Sequence, residues 1–364
     1  EALKDFQGDV IILYGDMPLL TPETLEKLLQ HKQDSGAGLV LLGAEVGDPS
    51  GMGRLIRDDA GEIREIVEEK DATPEQLLIR LVNAGGFCAD VGRMQSWLNR
   101  LASDNAQGEL YLTDIVRLAR QDGYGVTHAP VADADEVLNV NTRAQLARVE
   151  KVMQQRLRAR AMEKGATLRD PESITLSYDT ELAPDVVVEP HVFFAPGVRV
   201  GAGTCIRAFS YLESCSIGTH SEVGPMAHIR PESTIGDNAI VGNFTEINRS
   251  NIGHGSKVKH FSYLGDTQLG EKVNIGAGTV VANYDGFEKL TTRINDRVFV
   301  GTNVTLVAPL NIGAESLIAA GSVITQDIPE SSIGLSRPQT EIREGAARRR
   351  RERKQAKQQT RKGT

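Results

Sequence analysis

From Val188 to Ile324 a large apolar residue returns about every six positions. The series is Val188, Phe194, Val200, Ile206, Leu212, Ile217, Val223, Ile229, Ile235, Val241, Ile247, Ile252, Val258, Leu264, Leu269, Ile275 and Val281. After an interruption it resumes as Ile294, Val300, Leu306, Ile312, Ile318 and Ile324. An α-helix, with about 3.6 residues per turn, would scatter these side chains around its circumference. A short strand and a tight turn on each side of a triangular prism points all of them inward. The small residues that often follow, as in Ile217-Gly218 and Ile275-Gly276, then fit the corners. The pattern predicts a left-handed parallel β-helix of hexapeptide repeats. With rungs about 4.8 Å apart, roughly seven coils give a prism on the order of 35 Å long.

The chain of 364 residues is long enough for two or three domains. Aromatic residues make up only 5%, with one tryptophan, Trp97, which suits a solenoid filled with mid-sized aliphatics. No apolar run of about 20 residues is present, and no signal-peptide pattern opens the chain, so no membrane partner is expected. Cys88, Cys205 and Cys215 lack metal-type spacing, which fits a reduced, cytoplasmic compartment. The net charge of −8 conceals an asymmetry: Arg348–Thr364 holds nine Lys or Arg and one Glu. Residues 339–364 are expected to form a basic, disordered tail, and nucleic acid is not expected as its partner.

Ahead of the solenoid the pattern alternates in the α/β manner of a nucleotide-binding domain over residues 1–141. Val10-Ile11-Ile12-Leu13-Tyr14 reads as an interior parallel strand covered on both faces. Few residues precede it, so the domain is expected to be truncated at its start. Thr21 caps a helix opened by Pro22 and Glu23. Strands are expected at Gly38–Gly43 and near Arg80–Val82, a helix at Thr113–Gln121, and a short strand leading into Val137–Asn141. A linker helix covers residues 142–164, with Leu146, Val149, Met153 and Leu157 on one face and Gly165 ending it. The β-helix domain is placed at residues 165–338, with its rhythm established from about Pro184. Between Ala282 and Arg293 the rhythm lapses, and Asn283-Tyr284-Asp285-Gly286 is turn chemistry, so a loop projects there.

Several segments are specific enough to compare with a known family. They are Tyr14-Gly15-Asp16-Met17-Pro18-Leu19, Asp48-Pro49-Ser50-Gly51-Met52-Gly53-Arg54 and Val67-Glu68-Glu69-Lys70-Asp71-Ala72-Thr73. In the solenoid they are His260-Phe261-Ser262-Tyr263-Leu264-Gly265-Asp266, Val273-Asn274-Ile275-Gly276-Ala277-Gly278-Thr279 and Asn283-Tyr284-Asp285-Gly286. In this order, from about Asp9 to Thr340, the chain resembles the bifunctional N-acetylglucosamine-1-phosphate uridylyltransferase/glucosamine-1-phosphate N-acetyltransferase family.

Acyl transfer from a thioester to an amine needs a base, donors for the oxyanion and an anchor for the acceptor's phosphate. The resemblance makes His260 the base, and an imidazole suits that work near neutral pH. It implies acceptor contacts from Arg230, Tyr263 and Asn274, and acetyl-CoA contacts from Ala277, Asn283, Tyr284, Thr302, Ala320 and Arg337. Arg230 and Arg337 offer guanidinium groups suited to phosphate. One position departs from the family: Asn248 stands where a lysine normally joins the arginine on the phosphate, with Arg249 beside it. Neighbouring strand residues face opposite ways, so Arg249 is not expected to substitute. Loss of one charge-assisted contact costs about 1.5–3 kcal/mol, or it signals a different acceptor.

In the first domain, Asp16 and Asn141 resemble the family's metal pair, and oxygen ligands suit Mg²⁺. Tyr14, Asp16, Gly53, Glu68, Asn83 and Asn141 resemble its UDP-N-acetylglucosamine contacts. The glycine-rich loop bearing the arginine and lysine that hold the triphosphate does not occur in these residues. Uridylyl transfer is therefore expected to be impaired in this chain, whereas a longer parent would be bifunctional. The implied small molecules are glucosamine-1-phosphate, acetyl-CoA and UTP, and the implied assembly is a homotrimer with active sites between prisms. The alternatives are an acetyltransferase for another amino-sugar phosphate, raised by Asn248, and a non-catalytic trimeric scaffold. Zinc-dependent hydration on a β-helix is disfavoured, since the histidines show no ligand set.

Overall fold

The computed structural model describes residue 3 and residues 5–101 and 110–362. It divides into two compact units, Glu1–Gln155 and Arg156–Thr364.

The first unit is a sheet with helices on it. Its strands are β1 (Asp9–Leu13), β2 (Leu39–Glu45), β3 (Arg54–Arg57), β4 (Ile63–Val67), β5 (Leu81–Asp90) and β6 (Val126–Pro130). Its helices are α1 (Pro22–Ser35), α2 (Pro74–Leu77), α3 (Val91–Leu98), α4 (Ile115–Gln121) and the start of α5 (Arg143–Glu163). The order is β4-β3-β5-β2-β6, with β1 also on β5. Thr21 caps α1 as expected, its hydroxyl accepting from the Thr24 N–H at 3.3 Å. Val10 and Ile12 pack into one core and Ile11 into another, so β1 is apolar on both faces. The expected parallel pairing is corrected, however: among the described residues β1 pairs with β5 alone, and antiparallel. Only β2 and β6 run parallel. An apolar run records cover on both faces, which parallel strands usually have but which antiparallel β1 also has, lying between two cores. The strand expected near Arg80–Val82 and the apolar Phe87 beyond it are one ten-residue strand.

Helix α5 opens with a reciprocal cap, in which the Thr142 hydroxyl accepts from Gln145 N at 3.2 Å and Gln145 Oε1 accepts from Thr142 N at 2.9 Å. Val149 and Leu157 are buried, whereas Leu146, at helical spacing from Val149, is left exposed.

The second unit is the expected parallel β-helix. Its three faces carry ten, eight and eight strands. Face 1 runs from Thr167–Leu168 to Ile333–Gly334, face 2 from Phe193–Phe194 to Val323–Ile324, and face 3 from Glu181–Leu182 to Leu310–Ile312. Every apolar residue of the six-residue series is buried. Each stacks in register on its counterpart one coil away, as in Ile229–Ile247–Leu264. Full burial of each such side chain is worth about 1.5–3 kcal/mol. The corner glycines have a steric cause: a Cβ on Gly253 would run into the carbonyl of Gly270 in the next rung.

Three expectations are corrected here. The prism has eight to ten rungs rather than roughly seven, and its stacking begins at Thr167, inside the expected domain bounds but ahead of the point near Pro184 where the rhythm was read. Thr175 pairs with Phe193, so buried Leu176 keeps the six-residue step to Leu182, but it lies eight positions after buried Leu168, and that longer corner hides the first coil from a six-residue count. Residues 346–362 are not a disordered tail but a helix, α6 (Ala346–Lys362). Its Ala, Arg, Lys and Gln are strong helix formers, and intrinsic propensity outweighs the local charge repulsion. No described helix is long and apolar enough to cross a membrane.

Candidate active sites

His260 ends the face 1 strand Lys257–His260, where the chain turns toward face 2. Its Nδ1 lies 2.8 Å from Oδ1 of Asn243, its register partner one coil back. An amide oxygen only accepts, so Nδ1 carries the hydrogen and Nε2 keeps the lone pair. The same prism edge carries Ala277, Thr302 and Ala320 in successive rungs. They are linked by Asn303 N donating to Ala277 O at 2.7 Å and Gly321 N to Thr302 O at 2.9 Å. Arg337 closes this column, its Nη1 donating to Ala320 O at 3.0 Å. In the other direction from His260 the edge is apolar. Phe261, Phe244, Met226 and Phe209 stand exposed in consecutive rungs, each in a left-handed corner conformation. Phe244 and Phe261 meet edge to face at 6.4 Å.

Most residues expected to meet the acceptor gather on the outside of face 2. Arg230, Asn248 and Gly265 are stacked one rung apart, through Arg230 N to Ile247 O at 2.9 Å and the Asn248–Gly265 register. Tyr263 leans over Gly265, since a Cβ on that glycine would lie 2.6 Å from both the Tyr263 hydroxyl and the Asn283 amide nitrogen. Arg230 is held by Glu246 at 2.9 Å. Arg249 is engaged within the chain, though strand alternation is not the reason. It sits at a corner with φ 47°, outside any strand, so strand alternation does not govern it. Its guanidinium reaches Asn248 Oδ1 at 3.1 Å and both Asp266 oxygens at 2.7 and 2.9 Å. Asp266 also accepts from the Asn283 amide. The bond to Arg249, foremost, holds the Asp266 carboxyl below the ordinary carboxylate range. Within one chain Asn274 does not join this group, because it lies on face 1 in register with Lys257 and Phe299. Tyr284 is exposed on the projecting loop, its hydroxyl donating to Gly286 O at 2.7 Å.

In the first unit Tyr14, Asp16, Gly53, Glu68 and Asn83 line one cleft of about 110 Å³. Asn83 is buried, and its amide donates to the Tyr14 hydroxyl at 3.4 Å. Burial pushes the Tyr14 phenol up to about 12, and burial likewise raises the Glu68 carboxyl. Gly53 is small for a reason, since a Cβ there would lie 3.3 Å from Glu68 Oε1 and 2.9 Å from Ile66. Asn141 is not among the lining residues; it is exposed just ahead of α5, and Asn139 lines the cleft instead. The backbone ties this segment to the metal candidate through Val140 N donating to Asp16 O at 2.9 Å.

Sequence reasoning assigned no role to Asn243, Arg249, Gly265, Asp266, Met17 or Asn139. Asn243 was within reach, because counting one coil of 17 residues back from His260 lands on it.

A prism of six-residue repeats with an imidazole on its edge, following an α/β unit, defines a hexapeptide-repeat transferase. The family model described as bacterial transferase hexapeptide (six repeats) matches residues 214–249. The bifunctional protein GlmU of Synechococcus sp. (strain CC9605) is 43% identical over 96% of this chain and 80% of its own length. That of Pelobacter propionicus is 40% identical over 94% of this chain and 78% of its own. That of Zymomonas mobilis is 42% identical over 98% and 79%. The chain belongs to the GlmU family of bifunctional proteins.

Proposed function

We propose that the β-helix transfers the acetyl group of acetyl-CoA to the amine of glucosamine-1-phosphate. The α/β unit carries residues of the partner activity, UTP-dependent uridylyl transfer giving UDP-N-acetylglucosamine and pyrophosphate. The observation that carries the reading is His260, oriented by Asn243, on the same edge as Ala277, Thr302, Ala320 and Arg337. Nε2 takes the proton from the acceptor nitrogen as that nitrogen attacks the thioester carbonyl. The tetrahedral intermediate then expels the CoA thiolate, which recovers the proton. Arg230, Asn248 and Tyr263 hold the sugar phosphate, while Asn274, Asn283 and Tyr284 complete the acceptor and CoA contacts.

Asp16 and Asn141 offer hard oxygen donors of the kind Mg²⁺ takes together with phosphate oxygens and water. There the ion would neutralise charge on the transferring phosphoryl group. Tyr14, Gly53, Glu68 and Asn83 would orient the sugar nucleotide.

The test is thiol release from acetyl-CoA with glucosamine-1-phosphate and a panel of other amino-sugar phosphates. Turnover with glucosamine-1-phosphate is the expected result. Turnover with another acceptor alone would favour the second reading, motivated by Asn248, and CoA binding without any turnover would overturn both.

The homotrimer is supported by the exposed Phe209, Met226, Phe244 and Phe261 ladder, which adjoins His260 and would place the base at a contact between prisms. Sedimentation equilibrium should return three times the 39.5 kDa chain mass. Replacing both Phe244 and Phe261 with Glu should give monomers with acetyl transfer reduced at least about tenfold, by desolvating charge at that contact. A monomeric wild-type chain that is fully active would refute the shared site.

A further inference from the structure

We infer that Arg249 and Asp266 form a clamp that fixes two site amides in opposite senses, and that this clamp takes the place of a cation in direct contact with the acceptor phosphate. The inference rests on the acetyltransferase reading above.

The argument depends on which groups donate and which accept. A guanidinium has only donors, so Asn248 must turn its carbonyl oxygen toward Arg249 Nη1, at 3.1 Å. Its Nδ2 hydrogens are thereby aimed away from Arg249. A carboxylate has only acceptors, so Asn283 must turn its amide nitrogen toward Asp266 and leave Oδ1 free. Among the described residues neither remaining amide atom takes a side-chain partner. One ion pair, with bonds of 2.7 and 2.9 Å between Arg249 and Asp266, therefore sets both orientations. Asn248 presents a donor beside Arg230 and Tyr263, where a phosphate oxygen needs one. Asn283 presents an acceptor, which suits an amine or amide N–H. Both asparagines are buried, so neither amide is free to be reoriented by bulk water. Released from the clamp, each would flip between two near-isosteric orientations, one of which sets a carbonyl against the phosphate. Arg249 and Asp266 are positioning residues in this account, since they act through Asn248 and Asn283.

The test is a double-mutant cycle on the full chain, combining Asp266→Asn with Asn248→Lys. Asp266→Asn alone is expected to raise KM for glucosamine-1-phosphate about ten- to hundredfold, with kcat changed less than about threefold, the pattern of lost binding that ground and transition states share. In the Asn248→Lys background a flexible ammonium needs no orientation, so the same Asp266→Asn change should raise KM at least about threefold less than it does alone, the remainder passing through Asn283. Arg249→Lys serves as a second route, because a lysine cannot grip both Asp266 oxygens and Asn248 together. It should reproduce the KM effect even if Asp266→Asn folds poorly, with Tm and acetyl-CoA binding checked alongside.

An equal penalty in both backgrounds would overturn the clamp, as would a KM unchanged by either single variant. If glucosamine-1-phosphate is not turned over but another amino-sugar phosphate is, the acceptor reading fails. The cycle run with that acceptor then decides the clamp by the same criterion. If no acceptor is acetylated, clamp and site reading fall together.

Discussion

Replacing His260 with alanine is expected to lower kcat for acetyl transfer by about 10²–10⁴-fold, the usual contribution of a placed general base. Acetyl-CoA binding should survive, because the proposed donor contacts at Ala277, Thr302, Ala320 and Arg337 occupy other rungs of the edge. Steady-state thiol release, paired with direct titration of acetyl-CoA, separates the two effects. Asn243→Ala should lose less, on the order of tenfold, since the imidazole stays in place but no longer has one tautomer selected for it. Full activity in His260→Ala would remove the base and with it the mechanism.

Gly265→Ala should be nearly as damaging, for a steric reason rather than a chemical one. The added Cβ would lie 2.6 Å from the Tyr263 hydroxyl and from the Asn283 amide nitrogen, and both must move. These atoms end flexible side chains, so the prism itself should fold. The cost falls on the subsite. Kcat/KM for the sugar phosphate is expected to drop about a hundredfold, as ångström-scale misplacement does at reacting centres. Circular dichroism and acetyl-CoA titration should be unchanged. A variant with wild-type acceptor kinetics would mean that Tyr263 and Asn283 do not work from the positions seen here.

The β-helix was legible because burial on a prism imposes a period that no helix shares, and every residue of that series is indeed inside. Its ends were harder to read, since the longer corner between Leu168 and Leu176 breaks the count. In the first unit apolar runs located β1, β2 and β5, but the parallel direction read for β1 was wrong, since β1 is antiparallel to β5. The site was legible one motif at a time. Contacts between motifs were not, because they join residues one coil apart and the coil varies between 17 and 18 residues, lengthening to 25 at the loop. Asn243 reaches His260 over 17 positions, whereas Arg207 reaches Glu189 over 18. Strand alternation was applied to Arg249, but it does not govern a residue that sits at a corner. The helical end was missed because charge was weighed above propensity.

The stacking of the prism bears on how this protein loses its activities when heated. Each rung touches mainly its two neighbours, so the stack behaves as a one-dimensional array whose outer members melt before the middle. His260, Tyr263 and Asp266 sit well inside the array, whereas Arg337 follows the terminal strand Ile333–Gly334. Warming is therefore expected to loosen the proposed donor contact at Arg337 first and to spare the proposed base until the whole stack gives way.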